Sequence, residues 1–492
     1  MMQPPRPPRD DDSVAAANSN AGDSFTTMSN SSQHPHLRPI LVGYAFGPKK
    51  MSTMGLIMAE ASRAKLSTVI TAEVPIESFP PQQTSHLTTA ALQQAQESPR
   101  STTKPSVVLS MSRGPSGGFR NIVRYFRSSC SSIASDDTLT TATSTANTPL
   151  PSTGGSSRTA RQQRHPVRVS FVPLDLDSPL EEQHGGNFDV ILHKLTEDIL
   201  CLSTLPEHYS PDSLDESQLQ AISRVKRLNQ YQQDHPTCSL VDHPSYVETV
   251  MSRLDIAHVL SICLVGVSSA SGIPVKTPAF EVYTGQESTT FLQPPLIAKP
   301  LSAAGTKKSH CMGVVLRLEG LAHVYETPCL LQEYVNHNAI LHKVYVMGDH
   351  VSVFYRPSLP NLPECGFQEG FDYCEFDSQR PYPTLADFGL QGCAKRPKLL
   401  SEHGENDDDM AMGQQVTAEE IRPVVDVLKR AFGLELFGFD ILVTFQGELL
   451  VVDVNYFPSY KEVSNFPSLL ANYLTQRAID GRMNSPAKGE EC

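Results

Sequence analysis

Three oxygen-bearing side chains stand in a stretch otherwise made for a β-sheet: Asp440, Asp453 and Asn455 in "FGFDILVTFQGELLVVDVNYFP", Phe437 to Pro458. Two β-rich runs flank Gln446-Gly447, and a glycine there suits a tight hairpin turn. With those two residues as the turn, Asp440 faces Asp453 directly, at the Cβ separation of about 4.5–5.5 Å usual for cross-strand partners. Side chains alternate along a strand, so Asn455 shares the face of Asp453. Two like charges opposite one another are destabilising, and a divalent cation would remove the penalty. Oxygen-only ligands suit Mg²⁺, which typically takes one or two carboxylates plus substrate phosphates. The competing reading leaves both aspartates solvated on an open sheet face, and this stretch by itself does not choose.

The elements that position these residues can be read outward from them. Residues 1–37 are polar and Pro-rich and are expected to be disordered. "PILVGYAF" reads as a buried strand leading through "GPKK" into a helix, with Met54, Ile57, Met58 and Ala61 at i, i+3, i+4 and i+7. Residues 74–165 are rich in Ser, Thr, Pro and Gln and read as a disordered insertion. Strands follow at "VRVSFVPLDL", "FDVILHKL" and "CSLVD". Between them a helix opens on a capping box of Ser213 and Glu216, and after them comes a helix carrying Val247, Val250, Met251 and Leu254. Alternating strands and helices predict a parallel α/β domain over 38–255. From about residue 277 the pattern becomes strands with short connections: "PAFEVY", "PPLIAKP", "MGVVLRL", "PCLLQEYV", "HKVYVMG" and "VSVFYRPS". This second domain, α+β, is expected over 256–480, with a loop insertion at 362–412 and a tail at 481–492. A helix around Val424–Phe432, started or kinked by Pro423, precedes the hairpin.

Composition narrows the function. With 492 residues the chain has room for two or three domains. A net charge of −13 argues against general binding of nucleic acid or membrane surfaces, so an anionic ligand needs a local basic pocket. The ten cysteines show no CxxC pair, which fits reduced thiols. The N-terminus has no apolar signal region, and "VLSICLVGV" is about half a bilayer span. A cytoplasmic location is expected, with the nucleus as a second compartment that the short basic run "KRPK" does not decide. "GGFRNIVRYFRSS" reads as disordered linker, with an amphipathic docking segment as the alternative. The histidines of "SSQHPHLRP" lie in the polar tail, where scattered histidines bind nothing specific.

Several further segments carry cations. Lys299 lies in "PPLIAKPLSAAGTKKSH", just before a Gly-bearing loop. "LLQEYVNHNAILHKVYVMGD" carries a polar turn with His337 and then Lys343, and "FYRPSLP" adds Arg356 and Ser358. In this order, and ending in "FGFDI…VVDVNYFP", the segments resemble the ATP-grasp fold and, more closely, the inositol-tetrakisphosphate 1-kinase family, also called inositol-trisphosphate 5/6-kinases. "VGYAFGPKK", "FDVILHKLTEDI" and "HPTCSLVDHPSYVETVMSRLD" extend the resemblance, which spans about 38–65, 167–360 and 415–475.

The resemblance implies that two antiparallel sheets sandwich ATP. Lys299 would bind the ATP phosphates, and Gln332, Glu333, Tyr334 and Val335 would form the hinge for adenine. Arg253, Lys343 and Ser358 would be further nucleotide contacts. Asp440, Asp453 and Asn455 match the family's magnesium ligands, with two ions expected. Lys50, Lys194, His310, Lys343 and Asn455 match positions that hold the inositol phosphate. Among them Lys194, His310 and Lys343 would neutralise charge near the transferring group. The family's "NxFPGY" is here "NYFPSY", with Ser459 for the glycine, and Ala304 stands where some members have histidine. The implied protein is a monomeric ATP- and Mg²⁺-dependent inositol polyphosphate kinase with no nucleic-acid partner and no stable membrane insertion. The alternatives are an ATP-grasp carboxylate–amine ligase, which has no need of the "GPKK" and "HKL" lysines, and a non-catalytic inositol phosphate-binding protein.

Overall fold

The computed structural model describes residues 39–64, 66–69, 164–206, 208–285, 290–304, 307–363, 366–390 and 416–483. The expected tail at 1–37, nearly all of the 74–165 insertion with its "GGFRNIVRYFRSS", the "SSQHPHLRP" histidines, "KRPK", the acidic run "ENDDDM" and the end of the C-terminal tail lie outside them.

The first part of the chain runs β1 (Ile40–Phe46), α1 (Pro48–Ala61), β2 (Leu66–Val69), β3 (Arg164–Val167), β4 (Val169–Pro173), β5 (Val190–Lys194), α2 (Thr196–Ser203), α3 (Glu216–Asp234), β6 (Ser239–Val241), α4 (Pro244–Thr249) and α5 (Arg253–Cys263). Strands β4-β1-β5-β6 make a parallel sheet. Val190 to His193 of β5 are buried without alternation, as a strand covered on both faces requires. β2 and β3 pair antiparallel, Leu66 with Val167 and Val69 with Arg164, so the chain leaves and returns at one place.

Two expectations about helices are corrected. The cap of α3 is Asp215, not Ser213: its carboxylate accepts the Gln218 N–H at 2.8 Å, while the Gln218 side chain takes the Asp215 N–H. Ser213 is drawn into the short turn Pro211–Ser213, where its hydroxyl bonds Ser210. The helix expected through Val247–Leu254 is two helices. The Ser252 hydroxyl caps α5 by accepting the Asp255 N–H, so the chain restarts there although the apolar spacing runs on.

The second part runs β7 (Val275–Lys276), β8 (Phe280–Tyr283), β9 (Leu296–Pro300), β10 (Cys311–Val315), β11 (Cys329–Glu333), β12 (Ile340–Met347), β13 (His350–Pro357), β14 (Tyr373–Asp377), α6 (Ala418–Phe432), β15 (Leu436–Val443), β16 (Leu449–Tyr456) and α7 (Phe466–Met483). One sheet has the order β14-β10-β9-β11-β8, the other β13-β12-β15-β16-β7. The stretch expected as a loop insertion at 362–412 therefore contributes an edge strand, β14, whose Phe376 is buried in one apolar cluster with Phe388. α6 shows why this part folds locally. Thr417 caps it, Gly433 ends it at φ +66°, and Ile421, Val424, Val425, Leu428 and Phe432 bury one stripe. Burial of each such side chain contributes about 1.5–3 kcal/mol. Pro423 lies inside this helix rather than at its start. α7 returns to pack on α1 and on the first sheet, where Arg482 pairs with the buried Asp189 at 2.8 Å. No helix among the described residues is long and apolar enough to cross a membrane.

Candidate active site

Register places three rows of side chains across one face of the second sheet. Lys343 on β12 pairs with Asp440 on β15, which pairs with Asp453 on β16. Two residues along, Tyr345 pairs with Gly438 and Gly438 with Asn455. Two residues the other way, Leu341, Leu442 and Leu450 form an apolar patch with Val335 and Val452. Asp440 does oppose Asp453, but the turn is not the one expected. The loop is Phe445-Gln446-Gly447, with Gly447 at φ +81° and its N–H on the Thr444 carbonyl, and Val443 pairs with Leu449. That register is one residue out, and a β-bulge at Val452 restores it before Asp453.

The like-charge problem is met by a lysine. Lys343 Nζ donates to Asp440 at 2.8 Å, with both side chains largely buried. At an effective dielectric of about 20, an opposite pair at this distance attracts by roughly 6 kcal/mol before desolvation, against roughly 3 kcal/mol of repulsion between like charges about 5 Å apart. Burial alone would push the Lys343 ammonium down, but the Asp440 charge and hydrogen bond outweigh it and hold the group above the ordinary lysine value. Asp453 accepts the Val454 N–H at 3.0 Å and the Asn455 amide at 3.4 Å. Two carboxylates and an amide oxygen on one face are a hard-donor set that fits Mg²⁺ completed by phosphate oxygens.

The other sheet supplies Lys299. Its Nζ donates to Gln332 Oε1 at 2.6 Å and, across to the second sheet, to the carbonyl of the bulge residue Val452 at 3.3 Å. Burial lowers this amine to about 8, against an upward pull from Asp453. Of the expected hinge, Gln332 thus turns its side chain to Lys299, and the N–H groups of Glu333 and Tyr334 are taken by the carbonyls of Ala279 and Pro295. The Val335 N–H has no partner among the described residues. His337 bridges the Val335 carbonyl at 2.6 Å and the Ser358 hydroxyl at 2.8 Å, fixing Ser358 beside Val335. Arg253 is buried, and its guanidinium donates to the carbonyls of Pro300, Ser302 and Ser309. It ties down the loop after β9.

The remaining cations gather at the strand ends of the parallel sheet. Lys194, last residue of β5, donates to the carbonyls of Tyr456 (3.2 Å) and Phe457 (2.8 Å). Lys50, in the first turn of α1, donates to the carbonyls of Phe457 (3.3 Å) and Pro458 (3.0 Å), its amine 3.8 Å from the centre of the Phe457 ring. The two amines therefore share one carbonyl, two residues beyond Asn455. Burial and then the neighbouring Lys194 push Lys50 down to about 6; burial and then Lys49 push Lys194 down to about 8. Phe457 and Tyr460 hold left-handed backbone at φ +38° and +52°, and Phe457 is fully buried. Such strain persists where the surroundings over-determine it. Ser459 is not one of these positions, so its departure from glycine meets no left-handed backbone. His310 contacts Gln379 Nε2 at 2.9 Å, and burial followed by Arg253 lowers it.

Sequence reasoning missed Lys49, whose charge reaches both Lys194 and His310, although its place in "GPKK" was a signal. It also missed Tyr382, which feels Asp440 and Lys343 from the stretch read as an insertion and had no signal of its own. Arg356, noted but given no role, pairs with Glu462 beside Tyr345.

Two sheets facing a shared cleft, with a lysine bridging them and a carboxylate pair on one floor, define an ATP-grasp protein. Residues 272–476 match the inositol 1,3,4-trisphosphate 5/6-kinase ATP-grasp domain, and residues 159–247 match the pre-ATP-grasp domain of the same enzymes. Inositol-tetrakisphosphate 1-kinase 1 of Zea mays is 30% identical over 312 residues, 62% of this chain and 79% of that protein. The inositol-tetrakisphosphate 1-kinase of Danio rerio is 29% identical over 316 residues, 62% of this chain and 71% of that protein. Among solved structures, the ATP-grasp ligase PsnB with its minimal precursor aligns at a TM-score of 0.35 and 12% identity, over 62% of this chain and 90% of that one. On the sequence relatives, the chain belongs to the inositol 1,3,4-trisphosphate 5/6-kinase family.

Proposed function

We propose that this protein is an ATP- and Mg²⁺-dependent inositol polyphosphate kinase that moves the γ-phosphoryl group of ATP to a hydroxyl of an inositol tris- or tetrakisphosphate. The observation that carries the reading is the meeting of the Lys50 and Lys194 amines at the Phe457 carbonyl, two residues from Asn455. A polyphosphorylated acceptor needs several cations in one place, and this acidic chain concentrates them beside the carboxylate row.

In this reading the base lies on the Leu341, Leu442 and Leu450 patch and takes the open Val335 N–H. Lys299 and Lys343 hold nucleotide phosphates, and Arg253 acts through the loop it fastens. Asp440, Asp453 and Asn455 would hold Mg²⁺, which when bound supplies charge neutralisation on the β- and γ-phosphate oxygens. Lys50, Lys194 and His310 orient the acceptor, and positioning with charge neutralisation carries the catalysis. No residue is assigned as a general base. The reading includes action as a cytoplasmic monomer.

The test is incubation of purified protein with ATP, Mg²⁺ and a panel of inositol tris- and tetrakisphosphates, with products separated by isomer. Amino-acid and peptide carboxylates serve as competing acceptors. A new, more phosphorylated inositol is expected. ADP and phosphate released only with a carboxylate and an amine would replace this reading with a ligase.

A further inference from the structure

Asn455 and the acceptor lysines come from different parts of the chain, so something must set the distance between them. Between Asn455 and the shared Phe457 carbonyl stands Tyr456, only 5% exposed. Its hydroxyl leaves the second sheet altogether. It donates to the His193 carbonyl at 2.8 Å and accepts the Asp242 N–H at 3.2 Å. His193 is the residue before Lys194 on β5, and Asp242 directly follows β6. The main-chain carbonyl of Tyr456 receives the Lys194 amine. Both ends of Tyr456 therefore engage the same strand end, one through His193 and one through Lys194.

The partners are themselves fixed. His193 is fully buried, its Nε2 donating to the Asp242 carbonyl and its Nδ1 accepting the Leu195 N–H. The Asp242 carboxylate accepts the N–H groups of Glu435 (3.1 Å) and Leu436 (3.0 Å), where β15 begins. The strand carrying Asp440 is thus keyed to the same point as the strand carrying Lys194. The ring of Tyr456 packs against those of His193 and Phe457, each with centroids 6.1 Å away. Phenylalanine would keep that packing and lose only the two hydroxyl bonds.

We propose that Tyr456 is a positioning residue for phosphoryl transfer, its hydroxyl holding the acceptor lysine Lys194 at a fixed distance from the Asp440–Asp453–Asn455 row. It touches neither substrate and acts through Lys194. This rests on the functional reading above. A displacement of about 1 Å at a reacting centre can cost up to a hundredfold in rate, so a buried hydroxyl outside the site can matter to turnover.

The test is Tyr456→Phe in the full chain, with kcat and both KM values measured on whichever inositol phosphate the wild type phosphorylates best. ATP hydrolysis without acceptor and thermal melting are measured alongside. The control is Tyr473→Phe, which removes the bond to Glu435 Oε2 (3.0 Å) near the same seam without touching β5. For Tyr456→Phe we expect kcat/KM for the acceptor to fall roughly tenfold, with ATP KM and acceptor-free hydrolysis within about twofold of wild type. Tyr473→Phe should leave the acceptor parameters within about twofold even if it melts earlier. Equal losses toward ATP and acceptor, the same loss in both variants, or no loss in Tyr456→Phe would overturn the proposal. If the wild type phosphorylates no inositol phosphate, the functional reading fails by itself. Calorimetric titration with inositol hexakisphosphate and with MgATP then decides the positioning claim, which requires weaker inositol phosphate binding in Tyr456→Phe alone.

Discussion

Asp453 of the carboxylate row and the Phe457 carbonyl where the two lysines meet lie only a few residues apart, on and just after β16, yet the row and the lysine cluster balance charge in opposite ways. In the row, Lys343 faces Asp440 at 2.8 Å and is held above the ordinary lysine value. That half keeps its charges paired before any ligand arrives. In the cluster, Lys50 and Lys194 rest on backbone carbonyls, and burial lowers both. Carbonyl dipoles satisfy the N–H groups but supply no full countercharge. The row thus holds a paired charge, whereas the cluster holds amines whose charged form an entering anion would favour.

The largest effect should come from breaking the row. Asp453→Ala should abolish phosphoryl transfer while the protein stays folded, because the residue removes one of two carboxylates on a face that Lys343 only half neutralises. Circular dichroism and turnover across a Mg²⁺ titration check this. Retained turnover at saturating Mg²⁺ would show that the row is not the metal site.

Breaking the cluster should be more selective. Lys194→Ala should raise acceptor KM by roughly ten- to a hundredfold, since a charge-assisted contact contributes about 1.5–3 kcal/mol. ATP KM should move little, because Lys299 and Val335, the proposed nucleotide contacts, are on other elements. Steady-state kinetics with each substrate varied in turn decides it, and equal losses would dissolve the distinction between the halves.

A pH series sharpens the same contrast without mutation. A bound polyanion raises the lysine pKa values, so acceptor binding takes up protons wherever the free amines are deprotonated. Affinity for the acceptor must then fall as pH rises above the free-enzyme values, about 6 for Lys50 and about 8 for Lys194. Acceptor KM should climb several-fold from pH 7 to 8, at most tenfold per proton taken up. ATP KM should change by no more than about twofold over the same interval, because Lys299, lowered to about 8, is only half deprotonated at its upper end. The acceptor's own phosphates ionise near pH 6 and are nearly constant over this window. An acceptor KM that is flat across it would mean that neither amine is deprotonated in the free enzyme.

Most strands were legible because β-branched runs between Gly and Pro punctuation have few other uses. The Asp440–Asp453 pairing was legible through two errors that cancel: a three-residue loop shifts the register, and the bulge at Val452 shifts it back. Bulges leave no clear trace in residue type, yet this one also turns a carbonyl toward Lys299. The neutralising partner of Asp440 was hidden because Lys343 is 97 residues away, and only strand order makes them neighbours. The cap of α3 was misplaced because "SLDESQ" holds two overlapping boxes, and the Pro211 turn consumes the first serine. β14 escaped because Pro-, Gly- and Asp-rich flanks make a short edge strand look like loop.

The smallest effect should come from the longest stretch. Residues 70–163 join β2 to β3, whose pairing sets Val69 against Arg164. A chain that leaves and returns between paired residues can be shortened to a tight connection without moving either strand. Loop length itself is thermodynamically cheap, each doubling costing about 0.6 kcal/mol. Neither β2 nor β3 belongs to the sheet that ends in Lys194, and neither carries a residue of the row. Replacing 70–163 with a short Gly/Ser linker should therefore leave kcat and both KM values within about twofold of the full chain and raise stability slightly by closing a smaller loop. Kinetics and thermal melting of the two proteins side by side measure it. A soluble deletion protein with a raised acceptor KM and an unchanged ATP KM would place the segment at the lysine cluster. A rise in both would place it across the cleft.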